Sequence, residues 1–104
     1  MNKTIIYTES QLIGDDATLT LVELCQACSS SEDMVRELVA EGVLEPAGRL
    51  PQEWRFGGAS LRRLRVARQL ALDLEVNTPG IALALDLLDR IEALQAEMAR
   101  MRRY

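Results

Sequence analysis

The apolar positions of this chain fall into helical stretches separated by polar breaks. Leu21, Leu24, Cys25 and Cys28 recur at spacings of three and four, the period that lines one face of an α-helix. Thr20 and Glu23 stand in capping-box spacing, so a helix is predicted to begin near Leu21. Three serines then supply a turn and a second N-cap. In "EDMVRELVAEG" the residues Met34, Val35, Leu38 and Val39 share a face, and Gly42 marks the C-terminal stop. Helix, short turn, helix is the helix-turn-helix pattern. "VLEPAGRLPQEWRF", with two prolines, a glycine and β-prone ends, predicts a small two-stranded wing over Val43 to Phe56, with the rings of Trp54 and Phe56 on one side.

After Gly57 and Gly58, "ASLRRLRVARQLALDL" predicts a third helix. Leu61, Leu64, Val66, Ala67, Leu70, Ala71 and Leu74 are available for burial, and Arg62, Arg63, Arg65 and Arg68 point mostly outward. "NTPG" is the cleanest break in the chain. Thr78 as cap and Pro79 at the first helical position predict a long last helix running to about Arg103. Within it Ala84, Leu87, Ile91, Leu94, Met98 and Met101 recur at alternating spacings of three and four, nearly three heptads of a and d positions. A small domain cannot bury that seam by itself, so the simplest expectation is a two-fold homodimer; the alternative is a seam folded back onto its own domain. The expected organisation is an N-terminal arm or edge strand over residues 1–16, with a β-prone run at Thr4 to Thr8. A winged helix-turn-helix with its following basic helix occupies 17–78, and a dimerisation helix occupies 79–104.

At 104 residues this is one mainly α domain, large enough to bury a core without disulfides or metals. The composition is 48% hydrophobic and contains no histidine, which removes the commonest general base and the commonest metal ligand. The protein is therefore not expected to be an enzyme or to need a cofactor. Apolar stretches such as "IALALDLL" are interrupted by charge well short of a membrane span, and the N-terminus lacks a signal peptide's apolar core. Together with two cysteines suited to a reducing compartment, this points to the cytoplasm. Charge is unevenly spread: residues 1–53 hold ten acidic and three basic side chains, residues 54–104 six acidic and nine basic. An acidic front half repels phosphate and favours a basic partner.

Three patterns invite chemistry. Cys25-x-x-Cys28 has the spacing of zinc or redox sites. Zinc needs four ligands, however, and a redox thiolate needs a helix N-terminus, whereas these residues sit toward the other end of their helix. A structural role is expected, and no metal. Asp15 with Asp16, and Asp86 with Asp89, are paired carboxylates, but no phosphate loop or activated nucleophile accompanies them. The second helix of a helix-turn-helix would read DNA, yet it carries Glu32, Asp33, Glu37 and Glu41 against Arg36 alone. That charge opposes both base readout and phosphate neutralisation. The acidic face is either solvated surface or a protein-binding site. "LRRLRVAR" keeps a DNA-binding transcriptional regulator as the alternative, against the plainer reading of a solvated helix face.

The order of elements, with "ELVAEGVLEP", the "WRF" that ends the wing, and "PGIALAL" opening the last helix, resembles the MerR-like architecture and within it the CbpM-type chaperone modulators. The similarity covers roughly residues 18–103. The longer arm and Thr78, where the family suggests an aromatic, depart from the pattern. Members of that family are known as inhibitors of a CbpA/DnaJ-type co-chaperone, whose J-domain they bind. The resemblance implies that function, exercised by blocking access to the DnaK-type chaperone. Charge and placement nominate Glu32, Asp33, Glu37 and Glu41 as the partner-binding face, with Asp73 and Asp86 as outlying candidates.

Overall fold

Among the described residues, three of the four α-helices start where a side chain accepts from a free backbone amide, and the helix that follows Gly57 starts without one. The computed structural model describes residues 17–102. They form α1 (Leu21–Cys28), α2 (Glu32–Ala40), a 3-10 turn (Pro51–Glu53), α3 (Gly58–Leu74) and α4 (Thr78–Met101). The expected arm or edge strand over residues 1–16 lies outside the described residues. The capping box of α1 is complete: the Glu23 amide donates to the Thr20 hydroxyl at 3.2 Å, and the Thr20 amide donates to Glu23 Oε1 at 2.9 Å. Ser31 caps α2 by accepting from the Met34 amide at 3.1 Å. Gly42, just beyond the C-cap Glu41, takes φ +78°, a conformation that favours glycine.

The cap of α4 differs from expectation. Asn77, one residue earlier than Thr78, is the N-cap, its Oδ1 accepting from the Gly80 amide at 2.9 Å. Thr78 and Pro79 then both lie in the first helical turn. Asparagine is a stronger cap than threonine, and the Thr78 hydroxyl is used elsewhere, donating to Glu37 Oε2 at 2.8 Å.

The wing is also reduced. In place of a two-stranded ladder there is a single antiparallel bridge, Ala47 with Arg55, and the 3-10 turn fills the space between. Pro46 and Pro51 lack the amide donors a ladder needs, and Gly48 turns the chain at φ +103°. A second bridge joins Phe56 to Leu19, each amide donating to the other's carbonyl at 2.8 Å. It ties the lead-in of α1 to the end of the wing.

Phe56 sits fully buried in the core with Leu19, Leu24, Leu38, Leu61 and Ile81. Trp54 packs edge-on against it, ring centroids 5.9 Å apart. Both cysteines are buried. Leu74, expected inside, is exposed, and Val66 is at the surface as well. Helices α1 and α2, of eight and nine residues, are about 12–14 Å long and too short to cover the 17 residues of α3. Only Ile81 and Leu85 of α4 are buried, and every described residue from Asp86 onward is exposed.

Candidate functional site: an acidic groove

Where α4 leaves the domain it forms one wall of an open groove of about 650 Å³. The other wall is the end of α2 and the loop that follows. Glu41, Glu45, Ser60, Arg63, Asp86 and Asp89 are among the lining residues. Helix geometry explains the α4 side: Asp86 and Asp89, three apart, are neighbours on one helix face. The loop side depends on the turn at Gly42, which brings Val43 and Leu44 into the core and leaves Glu41 and Glu45 exposed on either side.

Arg63 occupies the floor. From α3 its Nε donates to the Val43 carbonyl at 2.7 Å, and its Nη1 donates to both carboxylate oxygens of Asp89 at 2.8 Å. Asp86 accepts from Arg90 Nε at 3.2 Å one turn along, an exposed pair of small energetic weight. Four carboxylates thus face one buried-side guanidinium. With four carboxylates against one guanidinium, the groove can attract cations.

The structure brings Glu41 and Asp86 together out of the predicted partner-binding set. Glu37 is exposed beside the start of α4, its carboxylate occupied by Thr78. Glu32 and Asp33 lie exposed in the first turn of α2, where carboxylates complement the helix dipole. Glu32 lines a separate cleft with Val22, Arg36 and Gln52. Asp73 is exposed in the last turn of α3, apart from the groove. Glu45 and Asp89 line the groove without belonging to the predicted partner-binding set. The Asp86-x-x-Asp89 spacing signals a shared face; nothing local signals that Glu45 joins it.

The arginines of α3 are less free than their outward placement implied. Arg63 and Arg68 are half-buried, and Arg68 Nε donates to the Ser29 carbonyl at 2.8 Å, closing the end of α1. Burial pushes the Cys25 thiol up to about 11 and the Cys28 thiol in the same direction; the nearby Arg65 charge partly opposes the shift at Cys28. The Cys28 Sγ lies 3.9 Å from the Leu61 carbonyl. Neither thiol has the stabilised thiolate that redox chemistry requires. Among the described residues no group of three or more His, Cys, Asp or Glu is placed to hold a metal ion.

Along α4, Ala84 is half-buried, while Leu87, Ile91, Leu94, Met98 and Met101 are between 49% and 70% exposed. Among the described residues, none buries the seam from Leu87 onward. No helix among the described residues is long and apolar enough to cross a membrane.

The family described as MerR HTH family regulatory protein matches residues 19–103. The whole chain is 38% identical to the chaperone modulatory protein CbpM of Coxiella burnetii strain RSA 331, covering 96% of that protein. Over 84 residues, 81% of this chain, it is 38% identical to the protein of that name in Pseudomonas entomophila and 37% identical to that in Pseudomonas putida strain GB-1. In each case 83% of the relative is covered.

Proposed function

Given that the chain belongs to the MerR helix-turn-helix family and, within it, to the CbpM chaperone modulators, we propose that it binds the J-domain of a CbpA/DnaJ-type co-chaperone in the cytoplasm. A J-domain presents a basic helix to its DnaK-type chaperone. A modulator that covers this helix with carboxylates blocks access and inhibits the co-chaperone without any reaction. The observation that carries the reading is the groove itself, in which Glu41, Glu45, Asp86 and Asp89 outnumber Arg63. Such a surface steers a cationic partner and repels a nucleic-acid backbone. The relatives are named as chaperone modulators, which supports the same reading.

The exposed seam of α4 supports a second element of the proposal, pairing of two copies through Leu87, Ile91, Leu94, Met98 and Met101, with Ala84 at its start. The domain of residues 17–78 then carries most of the fold, and residues 79–104 join the copies.

Calorimetric titration into an isolated J-domain of a CbpA-type co-chaperone, with a mixed-sequence duplex in parallel, tests the proposal. Micromolar or tighter binding to the J-domain is expected, with none to the duplex and at least about a tenfold loss for Glu41→Lys combined with Asp86→Lys. Binding to the duplex alone would turn the assignment back to a DNA-binding regulator.

A further inference from the structure

Among the described residues lining the acidic groove, Arg63 is the only cation. On charge alone it opposes a basic partner. Its hydrogen bonds give it a different part. Rooted in α3, it holds the Val43 carbonyl in the loop after α2 and both oxygens of Asp89 on α4. Val43 lies two residues from Glu41 and two from Glu45, and Asp89 lies three residues from Asp86. Each acidic rim therefore flanks an atom that Arg63 grips. Asp89 also comes one turn after Leu85, the last buried residue of α4, so the clamp acts where the helix loses core contacts.

We infer that Arg63 is a positioning residue that fixes the spacing of the two acidic rims, with Asp89 as its counter-ion. Glu41, Glu45 and Asp86 are then the carboxylates that meet the partner. The segment they take is a cationic helix with basic side chains on two sides, one set for the loop rim and one for the α4 rim. This rests on the J-domain reading above and adds the residue that gives that site its shape.

A double-mutant cycle separates positioning from charge. If Arg63 acts only through its charge, Arg63→Met tightens J-domain binding, Asp89→Asn weakens it, and the double variant returns to wild type. The clamp requires the opposite sign for the first change. Arg63→Met weakens binding about tenfold although the groove becomes more acidic, Asp89→Asn weakens it by a similar factor, and the double variant is no weaker than either single one. The affinity of Arg63→Met also falls more steeply with salt than that of wild type, because an extra carboxylate is left unpaired. Loss of folded protein would lower the calorimetric stoichiometry and leave that slope unchanged. Arg63→Lys keeps the charge but cannot reach carbonyl and carboxylate in the same forked geometry. Unchanged affinity there, or equal or tighter binding by Arg63→Met, overturns the clamp while the J-domain reading stands. Failure of the wild-type protein to bind the J-domain overturns both.

Discussion

Cys25 and Cys28 lie three residues apart on the inward face of α1, where burial raises both thiol pKa values, Cys25 from 9.0 to about 11. A thiol whose folded pKa is raised holds its proton more tightly in the folded state. Its contribution to stability is therefore complete below the unfolded value of 9.0 and is lost as pH climbs toward 11. The urea midpoint should fall between about pH 8.5 and about pH 10.5, and Cys25→Ala should flatten that fall. A Cβ on Gly80 would stand 2.7 Å from Val76 Cγ1 and 3.1 Å from the Asn77 cap oxygen. Gly80→Ala should lower stability by about 1 kcal/mol or more in urea titrations, although alanine is the better helix former.

Among the elements, the start of α4 is the place where two neighbouring polar residues have different duties. Asn77 caps the helix and Thr78 reaches across to Glu37. Asn77→Ala should cost about 1 kcal/mol, and Thr78→Ala less, because its hydrogen bond is exposed. The reverse order in denaturant midpoints would restore Thr78 as the cap. The wing offers a harsher test. With one bridge to the α1 lead-in and one to Ala47, its order depends on Phe56. Phe56→Ala removes the largest fully buried side chain, at a cost of about 3–5 kcal/mol, a large part of the roughly 5–15 kcal/mol that holds a domain of this size. Broadened or lost cooperative unfolding is expected by circular dichroism.

For the molecule as a whole, α4 is split between two tasks. Its first turns close the core through Ile81 and Leu85, and the rest, about 25 Å of helix, presents apolar side chains to solvent. Ile91→Lys with Leu94→Lys should convert a dimer to a monomer in light scattering while leaving the domain's unfolding cooperative, since no described residue beyond Leu85 is buried. A wild-type mass equal to one chain would remove the pairing proposal. Charge is divided in the same way, with the groove's carboxylates at the exit of α4 and basic side chains concentrated on α3, where Arg63 and Arg68 bond to backbone carbonyls.

What could be read directly from the residues was local. The capping box at Thr20 and Glu23, the serine cap, the glycine stop at Gly42 and the periodic stripes all depend on groups within about four positions of each other. Near-neighbour chemistry determines them in any fold. The periodic apolar seam of α4 was legible for the same reason, and so was the acidic character of the front half. Tertiary structure decided the rest. Glu41 and Glu45 meet Asp86 and Asp89 across some forty residues, Leu19 pairs with Phe56, and Arg63 turns from an outward helix face to grip two other segments. The short wing and the bare Leu74 belong there too, because ladder length and coverage depend on which elements lie alongside. Spacing along a helix tells which side chains share a face; which other segment that face meets is set only when the chain packs.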